Sequence, residues 1–544
     1  MRINKLPLEV IKLIAAGEVI DSLTAVVKEL VENSLDAQAK RIVITIYPEL
    51  WMVQVADNGT GISALHLSNA PLAHTTSKIS SCQDLNNIQT LGFRGEALHS
   101  ISQLAELTIA SRIKGDCGYQ WHENKNITPC ALAEGTIITV NNLFHNIPLR
   151  RQANPPFKQQ IKQIQILIGE FALCHPQVTW QLLINDKLSL HINGKNQADH
   201  ILLQLLKSIN YTDLKAQKFS INNFSEDHNS QLEIVLGLPD RLSRPRPDWV
   251  KIGVNGRVIK SPELESAIFS SFHRTLPRDR FPVVFVHLHI SPRHIDWNRH
   301  PTKREIYLHN LDFWQQQIKE SIEQIFTISE QTISNQRVEK LLTVAENKPI
   351  YQIEKKENTA SLGLIELKVI AQSRHTYIIA EHSEGIWLIE QHIAHERIIY
   401  EQLLKQWEFI PLSQPQIFEH FSPRQVEHLD YLGFDIDSFG EGLWALRNMP
   451  QLLHSRDDMT EAVWELARGA DLDSAKVAVA CRSALRNGTP LTISEMQNLV
   501  DQWKITRNPH TCPHGRPIYL SLEESSLYRF FRRHWVLGKS HGIN

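Results

Sequence analysis

Three polar residues in one short segment have the types and spacing that metal-assisted phosphate chemistry requires. Glu29, Asn33 and Asp36 stand at i, i+4 and i+7, and apolar residues fill the complementary positions. This period predicts a helix over residues 26–37 with one polar face. A carboxylate on that face can orient or deprotonate a water molecule, and a carboxamide oxygen can bind Mg²⁺. A solvated helix surface explains the same pattern.

A glycine-rich turn follows the second of two predicted strands, residues 41–47 and 51–55. Its sequence is Asp57-Asn58-Gly59-Thr60-Gly61-Ile62. With the following Ala64 it also satisfies the weak dinucleotide-binding pattern G-x-G-x-x-A. That pattern normally follows the first strand of a parallel sheet, whereas a helix and another strand precede this turn. Asp57 is better suited to accept a hydrogen bond from an exocyclic amine such as that of adenine. A plain glycine-rich turn is the other interpretation.

A second glycine pair, Gly92 and Gly95, leads into a predicted helix that continues through Ile101. Glycines let the backbone approach a ligand closely, and the N–H groups of a first helical turn attract phosphates. The segment lacks the Walker form of a phosphate loop. It therefore indicates a different kind of phosphate contact.

The C-terminal third contains a second set of candidate ligands. His392 and Glu396 share one helical face at i and i+4, and Cys512 and His514 stand two residues apart. On an extended backbone the latter two would point the same way. Together the four could assemble a divalent-metal site with nitrogen, oxygen and sulfur ligands. Each piece alone is more simply a charged helix face or a buried thiol.

Composition limits the function classes. The chain has 544 residues, with 57 Lys and Arg against 59 Asp and Glu, which excludes a polycationic nucleic-acid coat and a wholly disordered chain. The six cysteines form no Cys-x-x-Cys pair, which favours a reducing compartment. The chain has no signal-peptide core and no run of 18 apolar residues. We expect a cytoplasmic protein that does not enter the membrane.

The pattern of apolar residues predicts an α/β multidomain chain. Helical and strand patterns alternate in residues 1–205, and a second α/β domain with an Asn255-Gly256 turn is predicted over 206–330. Residues 331–360 are polar and weakly patterned, as in a linker. Residues 361–544 begin with closely spaced strands that lead into a helix.

The ordered motifs of the N-terminal half resemble those of the MutL family, the mismatch-repair branch of the GHKL ATPases that includes gyrase B, Hsp90 and histidine kinases. The resemblance rests on residues 14–19, 29–37, 57–62, 76–78, 92–98, 135–136 and 298–303. It implies an N-terminal GHKL (Bergerat) ATPase sandwich and a ribosomal-S5-like α/β second domain. A linker and an α+β C-terminal dimerisation domain would follow.

By this resemblance, Glu29 activates the attacking water, Asn33 holds Mg²⁺, Asp57 binds adenine and Lys303 reaches the γ-phosphate of ATP from the second domain. The segment from Gly92 to Gly95 would form part of a lid over the phosphates. The other implied nucleotide-binding residues are Asp36, Gly61, Thr76, Lys78, Phe93, Arg94 and Thr136. The chain departs from the family at Ser22-Leu23, where Arg-Pro is common, at Ala73 and at Arg299.

The C-terminal motifs resemble the metal-dependent endonuclease form of the same family. The sequence Glu390-Gln391-His392-Ile393-Ala394-His395-Glu396, followed by Glu401, resembles its D-Q-H-A-x-x-E-x-x-x-x-E motif. Ala480-Cys481-Arg482 and residues 512–517 resemble the motifs that accompany it. The resemblance implies that Zn²⁺ or Mn²⁺ is bound by Glu390, His392, Glu396, Cys512 and His514. Glu390 replaces the family's aspartate, so a non-nicking scaffold with a structural site is the alternative to an active endonuclease.

The resemblance implies an ATP-gated homodimer that couples a MutS-type mismatch-recognition partner to strand removal. DNA would be bound without sequence preference, and residues 241–260, with six cations and one acid, offer a local contact or a solvated loop. Residues 406–411 resemble a sliding-clamp-binding segment, with a buried strand as the alternative. The expected location is the cytoplasm, at the nucleoid during repair. Gyrase-like strand passage and histidine-kinase activity are less supported.

Overall fold

The computed structural model describes most of the chain, and its contacts divide it into two compact units. The first comprises Met1–Gly237, Pro247–Phe269 and Val283–Lys319, and the second Leu238–Arg246, Ser270–Pro282 and Glu320–Asn544. The described residues are 7–79, 88, 90–92, 95–123, 126–206, 209–221, 230–277, 279–296, 307–327, 365–383, 385–454, 456, 458–469 and 471–524. The predicted linker, the motif at 298–303, Phe93 and Arg94 lie outside these residues.

An eight-stranded sheet forms the centre of the N-terminal region. Its strands are β1 (Arg41–Tyr47), β2 (Met52–Asp57), β3 (Glu106–Arg112), β4 (Gly118–His122), β5 (Thr128–Cys130), β6 (Gly135–Asn141), β7 (Thr179–Ile184) and β8 (Lys187–Ile192). Their order is β5-β4-β3-β6-β2-β1-β7-β8, and only β1 and β7 among these neighbours pair in parallel. The sheet places the C-terminal end of β2, and with it Asp57, opposite Thr136 at the start of β6.

Seven helices accompany this sheet among the described residues. They are α1 (Leu8–Val19), α2 (Leu23–Asp36), α3 (Ala64–Leu67), α4 (Ala97–Leu104), α5 (Pro148–Ala153), α6 (Phe157–Cys174) and α7 (Ala198–Leu205). The predicted helix over 26–37 is confirmed as α2, which begins three residues earlier because Ser22 caps it, accepting a 3.2 Å hydrogen bond from the Ala25 N–H. The apolar face of α2 packs on α6 and β2, which leaves the polar face for chemistry.

A five-stranded sheet follows, in the order β12-β11-β13-β10-β9. It consists of β9 (Leu214–Ile221), β10 (Ser230–Gly237), β11 (Val250–Val254), β12 (Arg257–Ile259) and β13 (Val284–His289). Nearby elements are α8 (Pro262–Ser271), the two-stranded pair β14 (Ile295–Asp296) and β15 (Tyr307–Leu308), and α9 (Leu311–Phe326). The predicted turn at Asn255-Gly256 joins β11 to β12, and β11 pairs with β13 in parallel.

The C-terminal region contains two sheets and five helices among its described residues. The strands are β16 (Lys368–Ser373), β17 (Tyr377–His382), β18 (Gly385–Glu390), β19 (Phe409–Glu419), β20 (Ile436–Gly440), β21 (Leu443–Pro450) and β22 (Tyr519–Glu523). The sheet orders are β16-β17-β18-β22 and β19-β21-β20. The helices are α10 (Gln391–Lys405), α11 (Pro423–Leu432), α12 (Met459–Ala467), α13 (Leu472–Ser483) and α14 (Ile493–Lys504). Strand β18 leads directly into α10, which carries His392 and Glu396.

The segment that resembles a clamp-binding peptide is packed into this region. The Trp407 indole N–H donates a 3.0 Å hydrogen bond to the Leu432 carbonyl, and the Phe409 and Phe434 rings meet edge to face with their centroids 5.0 Å apart. Phe409 is also the first residue of β19. This packing favours the strand interpretation of residues 406–411 over an exposed peptide.

Within the described residues, no helix is both long and apolar enough to cross a membrane.

Candidate functional site

The polar face of α2 brings together residues that the sequence assigns to the nucleotide and its metal. The Lys78 ammonium donates hydrogen bonds of 2.9 Å to Oδ1 of Asn33 and 2.5 Å to Oδ2 of Asp36. A cation therefore already lies beside the Asn33 oxygen that the family resemblance assigns to Mg²⁺. The backbone N–H of Lys78 in turn donates to Oγ1 of Thr76, at 3.1 Å.

Asp36 also attaches the start of the predicted lid to α2. Its two carboxylate oxygens accept hydrogen bonds from the backbone N–H groups of Leu91 and Gly92, at 2.8 and 2.9 Å. A Cβ atom at Gly92 would lie 2.9 Å from Nζ of Lys78 and 3.3 Å from Oδ1 of Asn33. Glycine here keeps open the space beside Asn33.

Gly95, the second glycine of the pair, has a backbone conformation that a side chain would strain. Its φ is +63°, and a Cβ atom there would lie 2.8 Å from the Thr75 carbonyl oxygen. At both glycines a side chain would therefore meet neighbouring protein atoms.

Asp57 lies at the end of β2, half-buried. Its Oδ2 accepts a 2.8 Å hydrogen bond from the Ser34 hydroxyl, and its Oδ1 accepts a 2.9 Å bond from the Gly59 N–H. Burial raises the pKa of the carboxyl, while hydrogen bonds from Gly59, Ser34 and Thr136 lower it, and the net direction is upward. Both oxygens of the carboxylate are therefore held in place, which suits a group that accepts a hydrogen bond from an amine.

A second layer of contacts supports the turn after Asp57. Gly61 has φ +74°, and a Cβ atom there would lie 2.3 Å from the Arg112 carbonyl oxygen. The Ile62 N–H donates to Oγ of Ser111 at 2.7 Å, and that hydroxyl lies 2.9 Å from Oγ1 of Thr136. Thr136 on β6 thus supports the turn through the Ser111 hydroxyl.

Glu29 lies one helical turn before Asn33 on the same face of α2 and is half-buried. Its carboxylate makes no hydrogen bond or ion pair with another described residue. The residues that meet here fit a nucleotide and a hard cation: an amide oxygen, a buried carboxylate, an unengaged carboxylate and close-approach glycines. Lys303, which the resemblance places at the γ-phosphate, lies outside the described residues.

The candidate metal centre is built on α10. Glu396 is fully buried, and His392 stands one turn before it. The Nδ1 atom of His392 lies 2.8 Å from the Leu485 carbonyl oxygen, so the N–H donates there and Nε2 keeps its lone pair for a ligand. This arrangement is typical of histidines that bind metals.

A tight turn carries the other two predicted ligands. The Gly515 N–H donates to the Cys512 carbonyl at 2.8 Å, the Cys512 N–H donates to the Arg516 carbonyl at 2.9 Å, and Gly515 has φ +77°. The backbone between Cys512 and His514 is therefore a turn rather than an extended segment. The turn nevertheless brings both side chains to Glu396, because it reverses the chain over a few residues.

Two groups of ligand atoms meet at Glu396. The first contains His392, Glu396 and Cys481, the second contains Glu396, Cys512 and His514, and the atoms of each group lie within 4.8 Å of one another. Cys481 was absent from the ligand set inferred from sequence. The sequence feature that could have indicated Cys481 was the Ala480-Cys481-Arg482 motif. This motif contains no second metal ligand at a characteristic spacing.

Glu390 lies outside both of these ligand groups. It is the N-cap of α10, and its carboxylate accepts a 2.5 Å hydrogen bond from the Ile393 N–H.

The electrostatics of the centre suit a cation. Oε1 of Glu396 lies 2.6 Å from Nδ1 of His514 without the angles of a hydrogen bond, and Oε2 accepts a 2.8 Å bond from Arg516. Burial opposes ionisation of Glu396, but His514 and Arg516 lower its pKa overall. Cys512 and then Glu396 raise the pKa of His514 to about 9. The mixed N, O and S donor set fits Zn²⁺, and Mn²⁺ through its oxygen and nitrogen members.

The predicted basic segment over 241–260 is partly neutralised. Lys251 forms a 2.7 Å ion pair with Glu170, and Arg257 is buried and forms a 2.9 Å ion pair with Glu32. Arg241 lies 3.3 Å from Asp240, so at least three of the six cations counted in the sequence form ion pairs within the protein. These ion pairs reduce the positive charge that the segment could offer to DNA.

Models of three protein families match the chain in order. The description "Histidine kinase-, DNA gyrase B-, and HSP90-like ATPase" covers residues 21–136, which include the polar face of α2 and the two glycine turns. "DNA mismatch repair protein, C-terminal domain" covers residues 207–327. "MutL C terminal dimerisation domain" covers residues 370–491, which include α10 and Cys481.

Full-length relatives extend this result over the whole chain. A DNA mismatch repair protein MutL of Rippkaea orientalis is 56% identical over 558 residues, and 99% of each chain is covered. The corresponding protein of Microcystis aeruginosa is 54% identical over 550 residues, with the same coverage. A solved Aquifex aeolicus MutL ATPase domain complexed with ADP is 23% identical, with a TM-score of 0.37, over 49% of this chain and 92% of that one. The chain therefore belongs to the MutL family of DNA mismatch repair proteins and carries its GHKL ATPase and dimerisation domains.

Proposed function

We propose that this ATP hydrolase is an ATP-gated homodimeric matchmaker, which couples a MutS-type mismatch-recognition partner to strand removal. In this proposal residues 1–205 form the ATPase domain, 206–330 the S5-like domain, 331–360 the linker and 361–544 the dimerisation domain. The observation that supports it best is the convergence of Asn33, Asp36 and Lys78 beside Gly92. DNA would be contacted through phosphates at any sequence, in the cytoplasm at the nucleoid.

Each residue at the nucleotide site then has a distinct role. Asp57 accepts the adenine amine, Asn33 holds Mg²⁺, and Glu29 orients the attacking water. A Mg²⁺ ion bound there would neutralise charge that develops on the transferring phosphoryl group. Asp36 and Lys78 hold the start of the lid, which contains Gly92 to Gly95, and Lys303 completes the site at the γ-phosphate. Phosphoryl transfer needs positioning and electrostatic stabilisation of this kind more than covalent catalysis.

Glu29→Ala tests the role of the unengaged carboxylate. We expect ATP turnover to be lost while the affinity for ATP is retained, because Glu29 acts on water and Asp57 and Asn33 bind the nucleotide. Steady-state phosphate release and equilibrium binding of a fluorescent ATP analogue measure the two quantities. Glu49→Ala, at an exposed glutamate, is the matched control and should change neither. Unchanged turnover in Glu29→Ala would contradict the assignment.

A second candidate activity, metal-dependent nicking of DNA, is favoured by the buried cluster at Glu396. In this proposal His392, Glu396, Cys481, Cys512 and His514 hold Zn²⁺ or Mn²⁺, and Glu390 either contributes a carboxylate or only caps α10. A bound divalent cation would polarise the scissile phosphate and activate water. The alternative is a non-nicking scaffold in which the metal is structural.

Nicking of supercoiled plasmid with Mn²⁺ separates these alternatives. We expect the wild type to convert plasmid to the open-circle form and the double variant His392→Ala, Glu396→Ala to lose this conversion. The control is His420→Ala with Glu419→Ala, an exposed pair in the same region. The wild type could instead contain metal, as measured by mass spectrometry, and hydrolyse ATP but leave the plasmid intact. That result would support the non-nicking scaffold.

A sliding clamp is the least supported partner. The Trp407 indole and the Phe409 ring both pack within the C-terminal region, so a clamp that binds these two rings would have to displace them from those contacts. Binding of purified clamp to the wild type, and its loss in Trp407→Ala, would support this contact.

A further inference from the structure

The turn between β11 and β12 is held rigidly in the first unit. Asn255 and Gly256 form it with φ of 46° and 88°, and Val254 pairs with Arg257 across it. Positive φ at both central residues is typical of a two-residue type I′ hairpin, for which Asn-Gly is well suited. The Asn255 side chain also exchanges hydrogen bonds of 2.7 and 2.9 Å with the Ile290 backbone. The turn is thereby attached just beyond the end of β13.

Two histidines, the half-buried His175 and the buried His287, hold the backbone of Gly256 from opposite sides. Nε2 of His175 donates a 2.9 Å hydrogen bond to the Gly256 carbonyl, and Nε2 of His287 accepts a 3.2 Å bond from the Gly256 N–H. Burial lowers the pKa of both histidines, so both are neutral at pH 7 and can take these opposite roles. A Cβ atom at Gly256 would lie 2.9 Å from the His175 ring.

The same His287 belongs to a group with His289 and Glu233 whose ligand atoms lie within 4.8 Å of one another. Metal binding there is the weaker interpretation. Nε2 of His287 already accepts the Gly256 N–H, which leaves a proton on Nδ1, and Glu233 lies 3.5 Å from the Lys218 ammonium. We therefore assign His287 to holding the turn rather than to binding a metal.

The residue after this turn forms a buried ion pair with the ATPase helix. Nη2 of Arg257 lies 2.9 Å from Oε2 of Glu32, and the two side chains are 6% and 1% exposed. Glu32 lies on α2, three residues after Glu29 and one before Asn33, so the three share one stripe of the helix. A buried carboxylate needs its partner. The pair thus resists rotation of α2 about its axis.

We infer that Arg257 is a positioning residue for ATP hydrolysis, which orients α2 so that Glu29 meets the attacking water. This inference rests on the proposed role of Glu29. Its chain of contacts runs from the Gly256 turn, held by His175 and His287, through Arg257 and Glu32 to the catalytic face of α2. Hydrolysis then depends on the hairpin of the second sheet, whereas nucleotide binding depends on Asp57 and the glycine turns.

Arg257→Met tests the inference by removing the guanidinium while keeping much of the apolar stem. We expect kcat for ATP to fall about tenfold or more, since misplacement of a reacting group by about 1 Å can cost about a hundredfold. The Kd for a non-hydrolysable ATP analogue should change by less than about threefold, because uniform binding is unaffected. Arg257→Lys, which keeps the charge but loses the planar fork, should recover part of kcat.

A double variant separates positioning from folding. In Arg257→Met the buried Glu32 keeps its 3.9 Å contact with Lys28 but loses its 2.9 Å ion pair with the guanidinium, so the thermal midpoint of the variant should fall. Adding Glu32→Gln removes the second charge, and we expect the midpoint to return most of the way while kcat stays low. Arg151→Met is the matched control, because its guanidinium binds Leu143 and Asn142 in the same unit without contacting α2.

Two results would overturn the inference. One is recovery of kcat together with the thermal midpoint in the double variant, which would make the pair merely structural. The other is a kcat in Arg257→Met equal to that of Arg151→Met. Continued hydrolysis by Glu29→Ala is a separate result, which would remove the proposed role of Glu29 whatever the Arg257 variants show.

Discussion

At the scale of single residues, Asp57 shows how one carboxylate is prepared for recognition. Burial raises its pKa, which is the cost of removing the charge from water, and the hydrogen bonds from Ser34 and Gly59 offset part of that cost. Both donors also restrict the carboxylate to one orientation. A carboxylate held this way can distinguish an amine donor from an acceptor at the same place on a ligand.

Asp57→Asn should weaken ATP binding by about 10- to 100-fold, since a hydrogen bond to a charged group contributes about 1.5–3 kcal/mol. The carboxamide presents one donor where two acceptors are needed. Titration with a fluorescent ATP analogue measures Kd, and the thermal midpoint checks the fold. Asp312→Asn, at an exposed aspartate, is the control. An unchanged Kd in Asp57→Asn would show that this carboxylate does not bind the base.

At the scale of elements, the helix that carries Cys481 is held by ion pairs at its C-terminal end. Arg482 on α13 lies 3.0 Å from Asp458 and 2.5 Å from Glu465 on α12, and Asp458 also lies 2.7 Å from Arg456. Hydrogen bonds and charge from Arg456 and Arg482 lower the pKa of Asp458 to about 2, against a usual value of 3.8. Arg482, the last residue of the Ala480-Cys481-Arg482 motif, therefore links α13 to α12.

The lowered pKa of Asp458 predicts a pH-dependent contribution to stability. Because the folded-state pKa lies below the unfolded one, the contribution is present above about pH 4 and is lost as the pH falls towards 2. We expect Asp458→Asn to have a lower urea midpoint than the wild type at pH 6, by an amount that shrinks between about pH 4 and 2. A difference that stays constant with pH would contradict the ion-pair explanation.

At the scale of the whole molecule, the two candidate chemistries belong to different compact units. The nucleotide site lies in the unit that begins at Met1, and the metal centre lies in the unit that includes Glu320–Asn544. Each site is therefore built by its own sheets and helices. The His392→Ala, Glu396→Ala variant should accordingly keep its ATP turnover, and Glu29→Ala should keep its bound metal.

The fold class was predictable from the ordered sequence motifs and from local patterns, and the candidate site residues stay predictions. The period of residues 26–37 identified α2, and the Asn-Gly pair identified the hairpin turn. The turn at Cys512 was not predicted. Its hydrogen bonds join residues three and four apart, and no alternation of residue types indicates them.

The sequence by itself determined which candidate groups the chain carries and their order: Glu29, Asn33 and Asp57 as candidates for a nucleotide site, and His392 and Glu396 as candidates for a metal site. Only the tertiary structure decided which distant groups join them. Cys481 reaches Glu396, and Arg257 reaches Glu32 across 225 residues, because a buried ligand or charge must find partners wherever the packing of sheets and helices places them. The local period of apolar and polar residues cannot predict such pairs. They depend on how the helices and strands are arranged, not on the residues within one element.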